Sequence, residues 1–132
     1  MRSLRVLTAA ILLGVVTPPI THAGDPAPVK PEQAILVHFD YGSRDWAPFF
    51  QFEKRLEHAV AASGLGDYDG NELAVDGSDG TLYMYGPDAD KLFAVVKPLL
   101  ESSALLKHVV VTLRYGPAID PNAREVKVRV GS

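Results

Sequence analysis

The stretch TLYMYGPDADKLF, residues 81–93, changes its period halfway along. Thr81 to Tyr85 alternate as a β-strand does, whereas Leu92, Val96, Leu99 and Ser103 recur at helical spacing, with Phe93 and Leu100 beside them. Between the two patterns stands Tyr85-Gly86-Pro87. The triplet returns as Tyr115-Gly116-Pro117, and a looser form, Tyr41-Gly42-Ser43, comes earlier. Each follows a strand-like run, and an aspartate stands shortly after each glycine: Asp45, Asp90 and Asp120. Local chemistry accounts for this. Glycine admits backbone angles that other residues avoid. Proline at a first helical position has a pre-set φ and loses no hydrogen bond. Asp88 and Asp90 favour the positive end of a helix dipole. Gly42, Gly86, Pro87, Gly116 and Pro117 therefore read as structural strand exits, not as a ligand site built three times.

Working outward, residues 34–41 (AILVHFDY) put Ile35, Val37, Phe39 and Tyr41 on one face and Leu36, His38 and Asp40 on the other. The next run places Phe49, Phe52, Leu56, Val60 and Ser63 on one helical face, with Asp45 available as a cap, Pro48 in the first turn, and Gly64 and Gly66 at the end. Leu73 and Val75 alternate ahead of the turn residues Asp76 to Gly80, which predicts a hairpin into residues 81–85. The helix after it is expected to begin at Pro87, with Pro98 on its polar side and a bend there. HVVVTLRY (108–115) and REVKVRV (124–130) complete the set. The order is β-α-β-β-α-β plus one strand. It predicts an α+β, ferredoxin-like antiparallel sheet with two helices on one face and an extra C-terminal strand.

The TLYMYGPDAD segment, the following KPLL and the later VTLRYGP together resemble a pattern in small bacterial proteins of uncharacterised function, over about residues 34–117. The resemblance implies the ferredoxin-like fold and carries no activity with it.

The N-terminus has the layout of an export signal. Arg2 and Arg5 precede a largely apolar run from Val6 to Val16, and Thr21-His22-Ala23 ends in a small residue suited to cleavage. The run is shorter than the roughly 20 residues that a membrane-spanning helix needs. Residues 1–23 are thus expected to be a signal peptide, residues 24–32 (GDPAPVKPE) a proline-rich tether, and residues 33–132 a single domain. The expected location is the periplasm or the exterior, with no integral membrane segment after cleavage. The net charge is −3 with Arg2 and Arg5 counted, and more acidic without them. That balance argues against nucleic acid as a partner. The absence of cysteine excludes disulfides, thiolate catalysis and cysteine metal sites.

In this fold the sheet face away from the helices presents His38, Asp40, Tyr83, Tyr85, Thr112 and Arg114, with His108 further along. Two functions compete for it. The first is a non-catalytic interaction surface for an envelope protein or for a second copy of the chain. The alternative is a small enzyme or ligand carrier, its cavity formed when two such sheets pack face to face. There His38 would serve as base, Tyr83 or Tyr85 as proton donor and Arg114 as anion clamp. The interaction surface requires no further catalytic set and is preferred. No metal and no cofactor is expected. The carboxylate-rich stretch Asp67, Asp69, Asn71, Glu72, Asp76 and Asp79 has Glu72 where an EF-hand loop needs glycine, and His38, His58 and His108 lack zinc spacing.

Overall fold

Alternation along β1 (Gln33–Asp40) buries Ile35, Val37 and Phe39 completely and leaves Leu36, His38 and Asp40 on the opposite face. The structure, a computed structural model, describes residues 32–131. The expected signal peptide and nearly all of the tether lie outside the described residues. After β1 come α1 (Ala47–Ser63), β2 (Asp67–Leu73), β3 (Asp79–Gly86), α2 (Ala89–Ser102), β4 (Lys107–Arg114) and β5 (Glu125–Val130). The sheet runs β2-β3-β1-β4-β5 with every neighbouring pair antiparallel. This α+β architecture fits the ferredoxin-like arrangement, extended by β5 at the edge beside β4.

Both helices cover the same sheet face. Phe49, Phe52, Leu56 and Val60 of α1 and Ala89, Leu92, Val96 and Leu100 of α2 close over Ile35, Val37, Phe39, Leu82, Met84, Val109, Val111 and Leu113. The apolar stripe of α2 follows i, i+4 steps through Leu100, while Leu99 is only half-buried. Pro98 lies on the exposed side, and α2 continues through it to Ser102. The helix starts later than the expected Pro87. Asp88 is its N-cap, its carboxylate accepting from the Lys91 amide at 3.0 Å, and Gln33 Oε1 accepts from the Ala89 amide at 2.8 Å. At α1 the N-cap is Trp46 and not the expected Asp45, whose carboxylate accepts from the Ala47 amide at 3.0 Å and whose carbonyl accepts from the Tyr41 hydroxyl at 2.7 Å.

The hairpin differs from expectation at its first strand. β2 begins at Asp67, inside the carboxylate-rich stretch, and bulges between Tyr68 and Gly70. Val75 belongs to the turn and is 100% exposed. Asp, Gly and Asn are poor strand formers, so β2 owes its conformation to pairing with β3 rather than to its own propensity.

The three strand-exit glycines serve different needs. Gly42 sits at φ 76°, and its amide donates to the Gly77 carbonyl at 2.8 Å, which docks the first corner on the β2–β3 turn. Gly86 is not at positive φ, but a Cβ there would run into the Leu65 carbonyl. A Cβ on Gly116 would lie 3.0 Å from the Ala123 Cβ. Pro87 and Pro117 follow directly, outside the helices and strands.

One polar cluster ties α1 to the sheet edge. The Tyr68 hydroxyl and the Asn71 side-chain amide both donate to Glu53 Oε1. Burial first, and then the Glu53 carboxylate, push the Tyr68 phenol well above its ordinary value of 10.0. A phenol held protonated by the fold stabilises it fully below about pH 10, and that contribution is lost as pH rises toward the folded-state value. Tyr68→Phe should cost about 0.5–1.5 kcal/mol at neutral pH. Chemical denaturation at pH 7 and above pH 10 should show the gap between variant and parent narrowing on the alkaline side.

Candidate functional site on the uncovered sheet face

Directly opposed residues on neighbouring strands share a face, so the register arranges the uncovered face in rows. One row runs Asp67, Tyr85, Ala34, Arg114, Glu125. The next runs Gly70, Tyr83, Leu36, Thr112, Lys127, and the third Glu72, Thr81, His38, Val110, Arg129. Asp79, Asp40 and Lys107 form a fourth. The centre, made of Leu36, Tyr83, Tyr85, Val110 and Thr112, is half-buried. Charge gathers toward the two sides.

All six residues expected on this face therefore lie on it, but the register does not gather them at one point. Arg114 pairs with Ala34 and His38 with Val110, four residues apart along β1. At ~3.3 Å per residue this separates them by roughly 13 Å. Each polar end is also engaged separately. The Tyr83 hydroxyl donates to Glu72 Oε2 at 2.8 Å, and that carboxylate raises the phenol above its ordinary range. His38 Nδ1 lies 3.2 Å from Thr81 Oγ1, and its Nε2 lies 3.9 Å from Asp79. Arg114 holds Glu125 through Nε at 2.8 Å and Nη2 at 2.7 Å. A base, a proton donor and an anion clamp acting on one small molecule need to converge; these three point to different neighbours.

His108 lies on this face, as alternation along β4 places it, beside a backbone irregularity. The β1–β4 register shifts between His38 and Asp40, and His108 adopts φ 49°, the left-handed region in which histidine is one of the better-tolerated side chains. Its Nδ1 lies 2.9 Å from Asp40 Oδ2. Alternation gives no sign of such a bulge.

The YGP tyrosines go to separate places. Tyr41 is buried and stacks on Trp46 with ring centroids 4.3 Å apart. Tyr115 donates to Asp90 at 2.6 Å, which raises its own phenol pKa. Tyr85 alone of the three faces the open sheet, where it and Tyr83 line a shallow recess with Asp69 and Glu72.

Sequence reasoning overlooked the charged flanks: Asp67, Glu72 and Asp79 on one side, Lys127 and Arg129 on the other. A signal was present, since no lysine or arginine occurs between Arg55 and Lys91. Among the described residues no helix is long and apolar enough to cross a membrane, and no group of three or more His, Asp or Glu side chains is placed to hold a metal ion. No family model, curated protein or solved structure matches the chain.

Proposed function

We propose that the chain is an exported, non-catalytic binding domain that engages a macromolecular partner through its uncovered sheet face. The observation that carries this reading is the face itself: a half-exposed apolar and aromatic centre between charged flanks. Protein interfaces share that arrangement, with an apolar core rich in tyrosine and a polar rim. The separate engagement of His38, Tyr83 and Arg114 favours binding over catalysis. The basic start, apolar run and small-residue cleavage site support export, so the partner belongs to the envelope or to the exterior.

A photo-crosslinking residue in place of Tyr83, expressed in the native host, should yield a discrete adduct. The same residue in place of Lys54, on the exposed side of α1, should yield none. Absence of an adduct at 83, or equal labelling from both positions, would remove the basis for this function.

A further inference from the structure

We propose that the occupant of the open face is a second copy of this chain, packed sheet to sheet about a two-fold axis that runs along β1. This rests on the reading of that face as a binding surface and names its partner.

The charge distribution carries the inference. β2 and β3 contain Asp67, Asp69, Glu72 and Asp79 and no lysine or arginine. β4 and β5 contain Lys107, Arg114, Lys127 and Arg129, with Glu125 their sole carboxylate. One side of the face is acidic, the other basic, and β1 divides them. A two-fold axis parallel to the strands keeps each residue in its row and exchanges the sides. Glu72 then meets Arg129 of the second copy, Asp79 meets Lys107, and Tyr83 meets Thr112. The recess between Asp69, Glu72 and Tyr83 receives Lys127, while Leu36 packs on its own counterpart at the axis. Asp67 falls opposite Glu125, whose charge Arg114 already holds at 2.7 Å. An in-plane axis perpendicular to the strands would lay acid on acid and base on base. Complementary charge selects the first arrangement and opposes the second. An interface about a two-fold must be self-complementary; the flanks of this face are, and Asp40, which meets its own counterpart on the axis, lies 2.9 Å from His108.

The area suffices. Five strands at ~4.8 Å spacing and eight residues at ~3.3 Å give a face of roughly 24 by 26 Å, or about 600 Å² per copy. Two such faces together reach about 1,200 Å², the lower bound for specific, stable complexes. At that minimal size we expect dissociation in the micromolar range, with an electrostatic share that weakens as salt rises.

Sedimentation equilibrium of the protein as recovered from the native host provides the test. The parent protein should dimerise with a dissociation constant in the micromolar range and associate less at high salt. Glu72→Lys and Arg129→Glu should each weaken dimerisation at least about tenfold, because each sets like charges against each other twice. A mixture of these two variants should associate again, since both contacts become complementary between unlike copies. Both side chains are exposed; should either variant fail to fold by circular dichroism, Asp79→Lys with Lys107→Glu replaces the pair. A parent protein that stays monomeric to about 100 μM, or mixed variants that do not associate, would overturn the proposal. The adduct at position 83 separates this failure from that of the underlying function. An adduct with a different protein, beside a monomeric parent, overturns the self-association and leaves the binding face standing. No adduct and no dimer removes both.

Discussion

Phe49→Ala is expected to lower the unfolding free energy by about 3–5 kcal/mol, the usual cost of truncating a fully buried phenylalanine. Phe49 is 0% exposed and stands at the junction of α1 with β1. Its ring stacks on Phe39 at 5.4 Å and meets Trp46 edge-on at 5.5 Å, with Tyr41 at 6.2 Å. Truncation removes apolar burial, opens a cavity and breaks these aromatic contacts together. Domains are stable by only about 5–15 kcal/mol, so the loss is a large share of the total. Trp46 is the single tryptophan of the chain and belongs to this cluster, so its fluorescence in urea reports the unfolding directly. The midpoint should fall with little change in slope. A loss below about 1 kcal/mol would mean that α1 does not close the core as described.

Gly77→Ala should cost about 2–5 kcal/mol, from two additive causes. Gly77 sits at φ 77°, where an L-residue costs about 1–2 kcal/mol. A Cβ there would also overlap the Ser43 carbonyl, and overpacking of that kind adds about 1–3 kcal/mol. The obstacle is backbone, held in place by the amides of Gly42 and Ser43, which donate to the Gly77 carbonyl at 2.8 and 3.1 Å. Gly64 supplies the control. It has φ 65° and nothing within 4 Å of a built Cβ, so Gly64→Ala should show the backbone cost alone, about 1–2 kcal/mol. Equal losses at the two positions, read from thermal unfolding, would contradict the docking of the first corner on the hairpin turn.

Where side-chain period decided the outcome, the sequence was legible. β1 and α1 combine clear alternation or helical spacing with strong turn residues, and the faces read from them are the faces buried. β2 was only half legible, because DYDGNEL has no strand propensity and is held by β3. α2 was legible at Leu92 and Val96 but not at its end, where Leu99 and Leu100 are both apolar and only packing selects Leu100. The roles of the corner glycines were partly hidden. Gly42 needs a left-handed backbone, which a strand exit suggests, but the crowding at Gly86 comes from Leu65, distant in sequence.

The open face shows the same division. Alternation is enough to place His38, Tyr83 and Arg114 on one side of the sheet. Register is not written in alternation, and register is what holds Arg114 four residues from His38 along β1. The charged flanks were visible as composition, yet they became a surface only once β2 and β5 were known to be opposite edges.

The most direct test of the account is Tyr83→Ala, measured for stability and for association in the same preparation. Tyr83 lies at the centre of the open face, opposite Leu36, with its hydroxyl on Glu72. The core lies on the other side of the sheet, so the fold should lose less than about 1 kcal/mol, the scale of one cross-strand pair. Association should weaken by about thirtyfold or more, the effect of losing roughly 2 kcal/mol from an interface tyrosine. A variant that binds as the parent does while melting like a core mutant would contradict the account, for Tyr83 would then serve the fold and not a partner.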